Sequence, residues 1–340
     1  MRGLMTTAAM VVGLLAAVPA GAQAQAPSRY TDLFVFGDSL VDSGNARAAR
    51  LASGGADPAP PSQGYFQGRF SNGYNFADFL SLDLFGRPAT AAAFGGTNFS
   101  VGGAQAAEVV GDESPSFAEQ IALYGASGRT ITSTSLVLVT LGGNDVRFQL
   151  ARAAATPGYT PTLTPAVSAL NAGLASLIGL GARNIVVTGL PDVGQIPAVT
   201  QLGSTTLSGL GTRLSFGLNQ AFDGSVDGLA AQTGYNLQFF DLFAYQAAIY
   251  ADPAAFGVTT PLDRTRACLA VAGAAPACDG FVYFDAIHPT ADLHRAIADG
   301  LVAQVAPVPE PAAWIMLIVG FGMAGGALRR RRHAARVAFA

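Results

Sequence analysis

Residues 34–45 read FVFGDSLVDSGN. The apolar run 32–36, DLFVF, is short and nearly continuous, the pattern of a strand covered on both faces of a parallel sheet. It stops on Gly37, Asp38 and Ser39. An acid and a hydroxyl at that point have two physical readings. The serine can cap a following helix, or it can be a nucleophile at the carboxyl end of a strand, where open α/β sheets place their ligands. The two are compatible, because a helix starting behind the serine would set its positive N-terminus against negative charge developing there.

The rest of the chain repeats the pattern. Residues 135–141 (SLVLVTL), 184–189 (NIVVTG) and 237–242 (LQFFDL) are further short apolar runs. Helix-length stretches separate them, over 165–181 with Gly181 as a C-cap, over 210–232, and over 290–304 as a closing helix. In the last, Leu293, Ile297 and Leu301 fall at four-residue spacing on one face. Alternating strand and helix predicts an α/β layer fold with a central parallel sheet. Residues 52–65, ASGGADPAPPSQGY, are turn-rich and read as a surface loop.

About 280 residues separate two distinctive ends, enough for one domain with a substantial core. Residues 27–308 hold thirteen arginines, no lysine and twenty-one acidic residues, a net charge near −8. No basic patch stands out, which argues against nucleic acid as a partner. The two cysteines, Cys268 and Cys278, fit a disulfide closing a short loop in an oxidising compartment. No CxxC is present to suggest zinc.

Polar clusters follow the apolar runs. Beyond Gly37 come Asp38 and Ser39; beyond 135–141 come Gly142, Gly143, Asn144 and Asp145; late in the chain YFDAIHPT carries Asp285 and His288. Of the three histidines, His333 lies in a basic tail, and His294, beside Arg295 in the closing helix, reads as a helix-surface residue. His288 precedes Pro289, which pushes it toward extended backbone. An acid three residues earlier can fix the imidazole tautomer and stabilise its charged form while the ring takes a proton from serine. Gly102 and Gly103 in GTNFSVGGAQ (96–105) let backbone N–H groups approach a ligand, and Asn144 offers an amide donor. The same residues also suit ordinary turns. Residues 64–80, GYFQGRFSNGYNFADFL, read equally as a pocket rim or as a loop leading into a core helix.

These motifs together resemble the GDSL esterase/lipase family, also known as SGNH hydrolases. FVFGDSLVDSGN supplies its serine as Ser39, NFSVGGA its glycine as Gly102, GGND its asparagine as Asn144, and DAIHP its Asp285 and His288. The order and spacing match from about residue 31 to 305, and LGARNIVVTGLPDVGQIP (180–197) resembles a further stretch of larger members. The resemblance implies a flavodoxin-like three-layer α/β/α domain and ester hydrolysis without metal or cofactor. Ser39 would attack the carbonyl carbon, His288 would carry the proton and Asp285 would orient His288. The oxyanion would be held by the Ser39 and Gly102 N–H groups and the Asn144 amide. Asp38 and Asp145 would hold the loops by hydrogen bonds. The implied substrate is an acyl ester, lipid or acetylated glycan. Alternatives on the same fold are a polysaccharide O-acetyl esterase, a phospholipase or acyltransferase, and a non-catalytic envelope or matrix protein.

Residues 1–26 read as a signal peptide, with Arg2, an apolar stretch over 8–20 and the small residues AGAQAQA. Residues 309–340 begin with Pro309-Glu310-Pro311, continue through an apolar stretch over 312–328 and reach Arg329 to Arg332. That stretch is long enough to enter a bilayer, with the arginines cytoplasmic. This tail resembles the PEP-CTERM sorting signal, which implies an exosortase-type processing protease and an envelope or extracellular destination. A permanent single-span anchor is the plain alternative.

Overall fold

The computed structural model describes residues 29–258 and 260–306. The four apolar runs form four parallel strands: β1 (Leu33–Gly37), β2 (Leu136–Thr140), β3 (Asn184–Thr188) and β4 (Asn236–Phe240). They pair in chain order, with Leu33 opposite Leu136, Leu136 opposite Asn184 and Asn184 opposite Asn236. Every residue of β1 and β2 is buried, which is why neither strand alternates in sequence.

A fifth element completes the sheet in reduced form. Asn98 makes a single parallel bridge to Val35 on the free edge of β1. Val35 N–H donates to Thr97 O at 3.1 Å, Phe99 N–H to Val35 O at 2.7 Å and Val101 N–H to Gly37 O at 3.0 Å. With this segment the order becomes second-first-third-fourth-fifth, the flavodoxin-like arrangement, whose ligand site lies where the winding reverses beside the first strand.

The helices are α1 (Asn45–Ala52), α2 (Phe76–Phe85), α3 (Phe117–Ala126), α4 (Gly143–Ala155), α5 (Thr164–Gly179), the single turn α6 (Pro197–Thr200), α7 (Thr205–Thr233), α8 (Leu242–Ala251) and α9 (Ala291–Val305). Among these, α2 and α8 pack on α9, while α3 packs on α5 and α5 on α7. The two groups flank the sheet in a three-layer α/β/α domain around one continuous apolar core. α5 stops at Gly179, and Gly181 takes φ +110° just beyond it, so the expected terminating glycine is in place. The stretch 52–65 has no strand; it contains a 3-10 turn over Pro61–Gln63 and buries Ala59.

Two expectations fail here. No helix starts behind Ser39: residues 38–44 form turns, and α1 begins only at Asn45. His294 is not on the surface but 1 % exposed. α9 is packed against both α2 and α8, so its buried face is wider than the stripe Leu293–Ile297–Leu301 and takes in the neighbouring position.

The Cys268–Cys278 disulfide is formed, with Cα atoms 5.5 Å apart. It packs in a small cluster with Phe284 and Tyr65, next to a short pair of parallel strands, β5 (Asp263–Ala267) and β6 (Phe281–Tyr283). No helix among the described residues is long and apolar enough to cross a membrane. The leader over 1–26 and the tail over 309–340 lie outside the described residues.

Candidate active site

Ser39 follows directly on β1, and the turn that carries it is fixed from several sides. Gly37 allows the chain to leave the sheet at close quarters: a Cβ there would lie 2.6 Å from the Thr140 carbonyl oxygen and 2.6 Å from Val41 Cγ2. Gln120 of α3 holds both backbone groups of Gly37, accepting from its N–H at 2.8 Å and donating to its O at 2.9 Å. Asp38 accepts from Leu40 N–H at 2.9 Å, and burial pushes its carboxyl up to about 7.

Asp42, three residues after Ser39, joins the serine turn to the glycine loop. Its Oδ1 accepts from Gly44 and Asn45 N–H at 2.7 Å each, and its Oδ2 from Ala46 N–H at 3.0 Å and Gly102 N–H at 2.8 Å. The Asn45 amide continues the link, donating to Asn98 O and Ser100 O at 2.8 Å each. Three of these bonds satisfy first-turn N–H groups of α1 that have no partner within the helix.

The histidine comes from a tight loop between β6 and α9. Phe284 N–H donates to His288 O at 2.8 Å, closing the loop around Asp285. Asp285 Oδ1 accepts from the N–H groups of Ile287 and His288 at 2.8 Å each. His288 Nδ1 lies 2.7 Å from Asp285 Oδ2, and His288 Nε2 lies 2.7 Å from Ser39 Oγ. Burial alone would raise the Asp285 carboxyl. The neighbouring His288 charge and the hydrogen bonds from His288 and Ile287 outweigh it and hold the carboxyl at about 2. An ionised Asp285 takes the proton on Nδ1, which leaves the Nε2 lone pair facing the serine hydroxyl.

The stretch 64–80 proves to be both rim and core. Tyr65 donates its hydroxyl to Asp285 Oδ2 at 2.9 Å; burial and the adjacent carboxylate push its phenol up, so it stays a donor. Phe70 lies 5.1 Å from the His288 ring, tilted by 34°. Ser71 Oγ donates to Pro289 O, and Asn72 Oδ1 accepts from Ala291 N–H, clasping the histidine loop. Farther along, Phe76 and Leu80 of α2 sit fully in the core. The aromatic residues signalled this segment in sequence, but nothing there marked Tyr65 as a partner of Asp285.

Asn144 stands in the first turn of α4, which follows β2, so the nearby positive helix end belongs to α4. Its Nδ2 donates to Ala104 O at 2.9 Å, leaving one amide N–H unspent, and its Oδ1 accepts from Arg147 Nη1 at 3.0 Å. Asp145 accepts from Ala106 N–H at 2.9 Å and Ala107 N–H at 3.3 Å, which holds the 104–107 loop against α4 as expected.

Gly102 departs from its expected role. Its N–H is already given to Asp42 Oδ2, an acceptor that an incoming oxyanion would have to displace. Gly102 is a glycine for a packing reason instead, since a Cβ there would lie 2.4 Å from the Phe70 ring. Next to it, Gly103 takes φ +91°, and its N–H has no acceptor among the described residues. The Ser39 N–H is likewise unspent among them.

Residues 33–301 match the family described as GDSL-like Lipase/Acylhydrolase, and residues 307–332 match the PEP-CTERM protein-sorting motif. A GDSL esterase/lipase of Arabidopsis thaliana, LTL1, is 29% identical over 331 residues, covering 82% of this chain and 88% of that protein. A second GDSL esterase/lipase of that plant is 27% identical over 91% of this chain and 96% of its own length. Among solved structures, a catalytic mutant of an acetylxylan esterase from Geobacillus stearothermophilus aligns over 83% of this chain and 96% of its own, with 13% identity and a TM-score of 0.43.

Proposed function

The chain belongs to the GDSL-like lipase/acylhydrolase family and is a serine ester hydrolase, and from that premise we propose that Ser39, His288 and Asp285 carry out its chemistry. The observation that carries this reading is the unbroken chain Ser39 Oγ–His288 Nε2, His288 Nδ1–Asp285 Oδ2, each link 2.7 Å. Ser39 Oγ attacks the ester carbonyl carbon while its proton passes to His288 Nε2. Asp285, ionised at neutral pH, stabilises the imidazolium that forms. The carbonyl oxygen becomes an oxyanion among donors that have no other acceptor among the described residues: the Ser39 N–H, the second amide N–H of Asn144 and, in place of Gly102, the Gly103 N–H. The imidazolium protonates the leaving alcohol, and the acyl group remains on Ser39. Water then loses a proton to His288, attacks the acyl carbon and releases the acid, restoring the serine.

The PEP-CTERM match supports a second part of the proposal. The chain is exported behind residues 1–26, its hydrolase domain spans 27–308, and the tail over 309–340 directs it to the cell envelope through an exosortase-type protease. The single disulfide fits such an oxidising destination.

The test is hydrolysis of p-nitrophenyl esters, acetate to palmitate, by the full chain and by Ser39→Ala. The variant should lose roughly 10⁴-fold or more in kcat, the scale on which serine triads fail when the nucleophile is removed. A variant that kept activity within tenfold would refute the assignment of Ser39.

A further inference from the structure

Arg147 lies one helical turn beyond Asn144 on α4, half-buried, at the edge of the site. Its only hydrogen bond among the described residues goes to Asn144 Oδ1, and no carboxylate there lies within ion-pair distance of it. A guanidinium removed from water without a paired carboxylate is unfavourable unless its charge serves something nearby. What lies nearby is the reaction centre: Arg147 feels the charges of Asp285 and Asp38, which oppose the effect of its burial. In sequence a lone arginine in a helix reads as a solvated surface residue, so this contact was not legible there.

We propose that Arg147 is a positioning residue that sets the orientation and donor strength of the Asn144 amide; the inference rests on Asn144 being an oxyanion donor. An asparagine amide can be rotated by half a turn with little steric cost, and only one orientation presents an N–H to the substrate. Arg147 has only donors, so the group it touches must be the amide oxygen. Ala104 O has only acceptor capacity, so the group it touches must be the amide nitrogen. Together they lock the amide plane with its second N–H left for the oxyanion. The same cationic bond draws electron density toward Oδ1, which polarises the amide and strengthens the remaining N–H as a donor. No proton moves to or from Arg147 at any step. Its effect grows as negative charge develops on the ester oxygen, so it favours the transition state over bound ester.

The experiment is a steady-state comparison of wild type, Arg147→Met, Arg147→Lys, Asn144→Ala and the Arg147→Met/Asn144→Ala double variant on p-nitrophenyl butyrate, a neutral ester. Loss of one oxyanion donor costs about 10²–10³-fold in kcat, so Asn144→Ala should fall in that range. Arg147→Met should lower kcat by roughly tenfold or more with KM within about twofold, as expected for an interaction made only in the transition state. Arg147→Lys should recover part of the loss. The double variant should be no slower than Asn144→Ala, because the arginine acts through an amide that is no longer there. Multiplicative losses in the double variant would overturn the proposal, as would an Arg147→Met defect confined to KM. If Asn144→Ala itself were fully active, the oxyanion reading would fall, separately from Arg147. Circular dichroism and a urea midpoint for each variant separate these outcomes from misfolding.

Discussion

His294 offers a test of the packing that needs no substrate. It is 1 % exposed, its Nδ1 has no hydrogen-bond partner among the described residues, and the Phe76 ring lies 5.7 Å from it. Burial, helped by the neighbouring His288 charge, pushes its pKa from 6.5 down to about 3. The folded value lies below the unfolded one, so the unfolded chain binds a proton that the folded chain refuses. Stability from this group is complete above pH 6.5 and declines as pH falls from 6.5 toward 3, by about 1.4 kcal/mol per pH unit. At pH 5 the loss is about 2 kcal/mol. Asp38 acts in the opposite direction: its folded value of about 7 lies above its unfolded 3.8, so stability falls as pH rises between the two. Over pH 4–6.5 the two slopes oppose each other in the wild type and mask one another. The informative quantity is therefore the difference between wild type and His294→Leu, a replacement of similar size that removes an unsatisfied polar atom. Urea midpoints at pH 7, 6 and 5 should show the variant gaining about 2 kcal/mol relative to wild type between pH 7 and 5. Differences that stayed constant across that range would refute the reasoning and place a solvated or hydrogen-bonded imidazole at this position.

Other residues yield their own tests. Tyr65→Phe removes a neutral donor from a charged acceptor and should lower kcat by about tenfold, from a loss of roughly 1.5 kcal/mol, with KM little changed in the p-nitrophenyl assay. Gln120→Ala leaves the buried Gly37 N–H unpaired, while Gly37 O keeps the Val101 N–H, and should cost about 1–3 kcal/mol in a urea titration. Gly37→Ala forces a methyl against Thr140 O and should destabilise by about 1–3 kcal/mol, with a loss of kcat as the serine turn shifts. Removing the bridge with Cys268→Ser/Cys278→Ser should lower stability by about 2–3 kcal/mol, read from the thermal midpoint.

How much of this was legible in sequence depends on how local the cause is. The four central strands were readable because burial on both faces leaves an uninterrupted apolar run. The edge segment at 97–101 was not. It carries Asn98, whose side chain donates to Val41 O and Ser43 Oγ of the serine turn, and Ser100, whose hydroxyl donates to Asn98 Oδ1, so these positions are polar rather than apolar. Ser39, Asn144, Asp285 and His288 stood out because they sat in ordered motifs, and His288 also because the chain has only three histidines. Gly102 and Gly103 look alike in sequence, and only the Asp42 bond and the Phe70 ring tell them apart. His294 was misread because Arg295 beside it suggested a solvent face, whereas packing on two helices widened the buried one. Tyr65 and Gln120 act across the fold, and no neighbour in the chain announces them.

With the proposed triad, the separation of Ser39 from His288 by 249 positions governs when the protein becomes an enzyme. The nucleophile is among the first described residues made and the proton carrier among the last, and the loop holding His288 is clasped only once Ser71 and Asn72 meet Pro289 and Ala291. A growing chain thus forms its serine turn, and even most of its sheet, without hydrolytic competence. A truncation that removes His288 should therefore yield an inert product. If the chain crosses a membrane unfolded, it carries no working site across, and activity begins only where folding ends.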